Sequence, residues 1–206
     1  GLVGSEMCIR DSLCSPYFIY LLEHPNPKTN KIDQYATASR LSYFLWSSMP
    51  DRELFALSRK GQLSNPSILK AQIERMLLDP KSNRFVDGFL DAWLTLDHLG
   101  TTPPDHQRFK EYYIDHLAPA MRMETHAFFR HLLKNNLPIS EFLTASYTFV
   151  NPALARLYGL PVLKSDFPNH SSFIKVSTQG HPRVGLLGHS SIPVSYTHLT
   201  LPTILL

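Results

Sequence analysis

Apolar residues recur along this chain at helical spacing, three and four positions apart, from about residue 33 to residue 158. In "DQYATASRLSYFLWS" (33–47), Ala38, Leu41 and Leu45 share one face, with Phe44 beside them. Leu54, Phe55 and Leu57 mark the buried side of a helix over 50–60, which Gly61 ends. Leu69, Ile73, Met76 and Leu77 do the same over 66–78. A longer stripe over 80–99 holds Phe85, Phe89, Ala92, Trp93, Leu96 and Leu99, and breaks at Gly100. Met121, Phe128 and Leu132 sit on a helix opened by Pro119 and closed at Asn135-Asn136. A short helix near 139–143, an extended "YTFV" (147–150) and a helix over 152–158 ending at Gly159 complete the series. The pattern predicts an all-α fold, an irregular bundle of about six to eight helices with a short irregular C-terminal fragment.

Proline punctuates the helix starts. Asn65-Pro66, Asp79-Pro80 and Asn151-Pro152 each place a capping side chain before a residue that needs no backbone N–H at the first helical position. Pro50-Asp51-Arg52-Glu53 is a related start, with acids at the positive end of the helix dipole. "SPYFIYLLEH" (15–24) reads as a helix from Pro16, stopped by Pro25 and Pro27. After Leu160, Pro, Ser, Asn, Gly and His dominate, and only "SFIKVS" and "VGLL" look extended.

The two ends do not match what they flank. Met7 to Ser12 and Pro193 to His198 can be encoded by DNA strings that are reverse complements apart from one terminal base. An inverted repeat around an insert resembles translated sequencing-adapter sequence, so both ends are set aside in reading the fold. The expected organisation is 1–12 adapter, 13–30 tail of a preceding helical domain, 31–161 helical domain, 162–193 start of a further domain, and 194–206 adapter.

Composition narrows the partners. The chain carries 20 Lys and Arg against 17 Asp and Glu, a formal +3. Removing Glu6, Arg10 and Asp11 with the ends raises this only to about +4, with both signs interspersed. That argues against a nucleic-acid surface. Outside the ends Cys14 is the single cysteine, so neither an internal disulfide nor a Cys-x-x-Cys-His haem attachment exists there. No apolar run has the length of a membrane span.

Several words are family-specific. "ASRLSYFLWSSMPDRELFAL" (38–57) with "GQLSNPSILKAQIERMLLDPKS" (61–82) resembles the bacterial, planctomycete-type domain of unknown function 1592. So do "FLDAWLTLDHL" (89–99), "METHAFFRHLL" (123–133) and "YTFVNPALARLYGLP" (147–161). "HPRVGLLGHSSI" (181–192) resembles the opening of the domain of unknown function 1588. The resemblance implies a module of a large exported multidomain protein, periplasmic or in the cell envelope, often accompanied by a c-type cytochrome. It brings no established catalytic residue. Expected partners are neighbouring domains of the same parent chain, with no cofactor held by this segment.

Candidate chemistry is sparse. Glu124 lies on the side of Met121 and Phe128, so it should be buried and need a partner. Arg40 is the expected partner, in a structural ion pair rather than an acid–base role. His126 and His131 are five apart and do not share a metal-binding face. His98, His106, His116, His170, His181 and His189 are expected at the surface, and no cluster has metal-ligand spacing. Asp105, Glu111 and Asp115 offer carboxylates of the kind used on glycosides, but their spacing equally suits a solvated loop and helix start. "GHSS" (188–191) lacks the second glycine of a nucleophile elbow. Trp46 and Trp93 are expected in the core and Tyr43 at the surface. The leading expectation is a non-catalytic scaffold that docks neighbouring domains. The alternative is an enzyme component acting on polysaccharide or in redox chemistry, its site shared with other domains. Paired charges with exposed apolar surface mark the first; unpaired polar groups converging in a pocket mark the second.

Overall fold

A computed structural model describes residues 9–20, 23, 25, 27, 32–101 and 103–192. It is 60% helical with two short strands, so the fold is largely helical rather than purely so. The short α6 (Lys110–Ile114) joins the helices read from the spacing, while α1 (Pro16–Ile19) and α8 (Glu141–Thr144) are the short helices expected from Pro16 and near 139–143. Of the ends set aside above, only Ile9 to Ser12 fall among the described residues, and all four are exposed; 194–206 lie outside them. The chain divides into two units, 1–76 and 77–206.

The first unit contains α1, α2 (Gln34–Trp46), α3 (Arg52–Arg59) and most of α4 (Pro66–Leu78). The caps act as their sequences indicate. Asp33 accepts from the Ala36 N–H, Asp51 from the Leu54 N–H at 2.9 Å, and Asn65 from the Ser67 N–H. Ala38, Leu45, Trp46, Leu54, Leu63 and Met76 form the buried set. Trp46 is buried as expected, and its indole N–H donates to the Met76 carbonyl at 3.0 Å. Arg75 bridges back to the Asp51 cap at 2.8 Å and lies over the Trp46 ring, tying the end of α4 to the start of α3.

The second unit is built on the 18-residue helix α7 (Leu117–Lys134). Its first half, with Leu117, Ala120 and Met121, packs with Val150, Leu154 and Tyr158. Its second half, with Phe128, Phe129 and Leu132, packs with Val86, Leu90, Leu94 and Leu186. Glu124 and Thr125 stand between these two apolar clusters along the helix. β1 (Tyr147–Val150) pairs antiparallel with β2 (Ile174–Ser177), Tyr147 opposite Ser177 and Val150 opposite Ile174. Between them run α9 (Pro152–Tyr158) and a loop. The boundary expected at 161 therefore falls between two paired strands.

Two expectations are corrected here. The stripe over 80–99 is not one helix: a 3-10 turn (Pro80–Ser82) leads into α5 (Asn83–Leu94), and Thr95 at φ 51° stops it. With that end, the buried face is Val86, Leu90 and Leu94, and Phe89 and Trp93 are 39% and 48% exposed. "VGLL" is a turn leading into a 3-10 segment (Leu186–Gly188), not a strand. Gly185 enters it at φ 56°, donates to the Ala145 carbonyl at 2.9 Å, and lies against the Phe142 and Leu143 backbone. A Cβ there would overlap the Phe142 carbonyl oxygen. Gly185→Ala is thus expected to cost the second unit about 2 kcal/mol or more in urea unfolding.

Candidate functional site

The centre of the second unit is polar and closed. Glu124 is wholly buried. Its Oε1 accepts from the Thr148 hydroxyl at 2.6 Å and its Oε2 from the Tyr158 hydroxyl at 2.5 Å. The Ser190 backbone N–H donates to the Tyr158 oxygen at 3.0 Å. Each donor arrives on a different element: Thr148 from β1, Tyr158 from the last residue of α9, Ser190 from the segment after the 3-10 turn.

A second chain of bonds joins this group through His189, which is 1% exposed. Its Nδ1 is 3.1 Å from the Thr125 hydroxyl, which is 2.7 Å from that of Ser191. Its Nε2 is 3.5 Å from the Thr148 oxygen. One proton assignment satisfies every member. Ser191 donates to Thr125, and Thr125 to Nδ1. Nε2–H donates to Thr148, and Thr148 to Glu124. That assignment needs a neutral imidazole. The Phe128 ring stands edge-on to it at 4.9 Å, closing the apolar side.

Burial governs the protonation states. It pushes the Glu124 carboxyl up to about 7, against the pull of its donors Thr148 and Tyr158 and of the Arg183 charge. It lowers His189 to about 3, with Arg183 adding to the effect. It raises the Tyr158 phenol well above its ordinary range, and the Glu124 charge beside it does the same. The Arg183 charge acts on all three groups. Its guanidinium lies 4.1 Å from the centre of the Tyr158 ring and donates to the Gly188 carbonyl at 2.8 Å.

Glu124 is buried as expected, but the expected partner is corrected. Its two oxygens are taken by hydroxyls, and Arg40 pairs with Glu23. Arg40 is the expected partner because it lies in the family-like word "SRLSY"; its guanidinium is exposed and pairs with Glu23 instead. His189 is also corrected, being buried rather than at the surface, and His126 is buried too. Asp105, Glu111 and Asp115 serve separate roles. Asp105 accepts from the Gln107 and Arg108 N–H groups, Asp115 pairs with Arg156 at 2.6 Å, and Glu111 is exposed on α6. Cys14 is free and exposed. Among the described residues, no group of three or more His, Cys, Asp or Glu is placed to hold a metal ion.

A second constellation lies between α5 and α7. Asp87 and Asp91, one turn apart, face Arg122, His126 and Arg130, each a turn apart. Arg122 forks onto Asp91 and Arg130 bonds Asp87. His126 Nδ1 is 3.0 Å from Asp87. These pairs are partly exposed and contribute about 0.5–1 kcal/mol each. They border a cleft of about 700 Å³. Sequence reading tested His126 only against His131, and so passed over the aspartate and arginine spacing that fixes its surroundings.

The architecture is that of a largely helical domain organised around a closed carboxylate–tyrosine–histidine network, with an ion-paired cleft on one flank. A family model described as a protein of unknown function, DUF1592, matches residues 32–160, and the chain belongs to that family. No curated protein and no solved structure matches the chain. Glu124, Thr125, Thr148 and Tyr158 lie inside the matched span, while Arg183 and His189 to Ser191 lie beyond it.

Proposed function

We propose that this domain is a non-catalytic docking module of a large exported bacterial protein of planctomycete type. It holds neighbouring domains in place, among them the domain of unknown function 1588 that begins near His181 and a c-type cytochrome module. Family membership supports the setting. The observation that carries the docking role is an aromatic rail on α5. Phe85, Phe89 and Trp93 follow one another ring to ring at 5.5 Å, and Phe142 meets Trp93 edge-on at 6.0 Å. Phe89 and Trp93 remain substantially exposed. Large aromatics left at the surface in a row mark contact surface, since each gains most by being covered.

The polar groups support the same reading. Glu124 has the near-neutral carboxyl of an acid–base catalyst, but a side chain with no exposure cannot touch a substrate. Its donors are all committed inside the domain. The Asp87, Asp91, Arg122 and Arg130 charges are paired with one another.

Hydrogen exchange tests the docking role. Side-chain labelling and amide exchange over 85–93 are compared between this chain and the full parent protein. Trp93 and Phe89 are expected to become protected in the parent. Equal labelling in both would overturn the docking surface, and loss of that protection in Trp93→Glu, with α7 exchange unchanged, would locate it.

A further inference from the structure

The family match ends at residue 160, yet the polar centre inside it is completed from beyond, by residues 183–191. That segment has the traits of a bound peptide. It braces itself: the Gly188 N–H donates to the Gly185 carbonyl at 3.1 Å, the His189 N–H to that of Leu186 at 3.1 Å, and the Arg183 guanidinium to that of Gly188 at 2.8 Å. A Cβ on Gly188 would crowd the Arg183 backbone, so this glycine lets the segment close on itself. It belongs to neither strand of the sheet. Its backbone reaches out through the Gly185 N–H to the Ala145 carbonyl at 2.9 Å and through the Ser190 N–H to the Tyr158 oxygen at 3.0 Å. An exposed turn at Gln179 and Gly180 precedes it, with Gly180 at φ 79°.

The receiving surface is equally specific. Leu186 enters the apolar cluster of Leu90, Phe128 and Leu132. The His189 ring meets the edge of Phe128 and the hydroxyls of Thr125 and Thr148, and Ser191 meets Thr125. Gly185 lies against the α8 backbone, where no side chain fits. Leu186 is 6% exposed and His189, Ser190 and Ser191 are 3% or less, while Val184 and Leu187 are 41% and 66% exposed. Pockets for some side chains, with their neighbours left outside, are how a groove reads a peptide. This one reads glycine, then a bulky apolar residue, then imidazole and hydroxyl.

We infer that residues 183–191 are an intramolecular peptide ligand, a plug seated in a socket of α7, α8, β1 and α9, and that the domain holds the module opening near His181 through this plug. The second half rests on the reading of that module given above; the seating of the plug does not.

Native-state hydrogen exchange on the intact 206-residue chain tests the plug first. The Gly185, Gly188, His189 and Ser190 amides should open together, at least about tenfold more often than the α7 amides from Glu124 to Leu132. Exchange only with global unfolding would make the segment ordinary core and overturn the plug. Exchange at the rate of a free peptide would mean that it is not seated, and would overturn it too. A protease site inserted between Gln179 and Gly180 then separates covalent from non-covalent hold. After cleavage the C-terminal piece should stay with the rest on size exclusion, and excess synthetic peptide 181–192 should replace it. The same peptide with His189→Leu should compete at least about tenfold less well, having neither an acceptor for Thr125 nor a donor for Thr148. Equal competition by the two would overturn the recognition, and loss of the piece with α7 exchange unchanged would overturn the plug. If the inserted site prevents folding, exchange in the intact chain decides alone. In the full parent protein the plug amides should slow by a further tenfold or so, because unseating must then move the following module as well; unchanged exchange there would overturn the second half. Trp93 labelling reads the aromatic rail and these amides read the plug, so either can fail alone.

Discussion

Glu124→Ala should destabilise the second unit by about 3–5 kcal/mol in urea unfolding, because it strips the acceptor from two buried hydroxyls at once and leaves a cavity. Thr148 and Tyr158 both point at that carboxyl from inside a closed core. Glu124→Gln keeps the volume and separates charge from shape. The carboxyl is raised from its ordinary 4.5 to about 7. Below pH 4.5 it is protonated folded and unfolded, and its titration costs nothing. Between 4.5 and 7 the unfolded chain releases the proton first while the folded protein keeps it. The unfolded state therefore binds fewer protons, and stability falls as pH rises, by roughly 3 kcal/mol across the window. Glutamine has nothing to release, so its curve lacks this fall. The wild type should lose ground to Glu124→Gln steadily from about pH 4.5 to 7, then run parallel to it. Curves parallel throughout would mean that Glu124 is ionised in the fold across the whole range.

What the sequence shows and what it hides follow from the range of the forces involved. Helix starts are local. A side chain at 51, 65 or 151 meets an N–H two or three residues away, and those caps form where the residues place them. "YTFV" and "SFIKVS" were likewise legible as extended, but their pairing joins residues about 30 apart and no local pattern announces it. The buried face of α5 was misread by one position. Phe and Trp outrank Val and Leu in bulk, so the aromatic stripe looked like the core side. The core instead took Val86, Leu90 and Leu94, and the aromatics were left to contact one another at the surface.

The central network shows the limit most plainly. Glu124 could be placed in the interior from its helix face. Its partners come from β1, α9 and the tail, and hydroxyl and imidazole side chains carry no charge signal to link them. "GHSS" was weighed as a nucleophile and set aside. A run of small polar residues without Lys, Glu or Asp also fits a buried segment, and Gly185 and Gly188, both closely approached by backbone, point the same way. Salt-bridge reasoning reached for Arg40 because charge is the one long-range clue a sequence displays. The fold used hydroxyls instead, which stabilise a carboxyl that is half protonated near neutral pH without committing a cation to it.

His189→Gln should invert its effect between neutral and acid pH. Glutamine can reproduce both bonds of the neutral ring, its oxygen accepting from Thr125 and its amide donating to Thr148. At pH 7 the change should therefore cost only about 1–2 kcal/mol, mostly lost packing against Phe128. Acid changes the balance. His189 falls from its ordinary 6.5 to about 3 in the fold. Below 6.5 the unfolded chain takes up a proton that the folded protein refuses. The unfolded state then binds more protons, and stability falls with falling pH until the ring is finally charged near 3. By pH 4 the wild type should have lost roughly 3 kcal/mol that the glutamine variant keeps. The variant should thus be the less stable protein at pH 7 and the more stable one at pH 4. Glu124 works in the opposite direction over 4.5 to 7, so the wild-type profile should be nearly level between 4.5 and 6.5 and fall away on both sides. Only the paired variants expose the two slopes. An equal stability difference between wild type and His189→Gln at both pH values would mean that the imidazole is charged in the fold, and the proton order from Ser191 through Thr125, His189 and Thr148 to Glu124 would have to be abandoned.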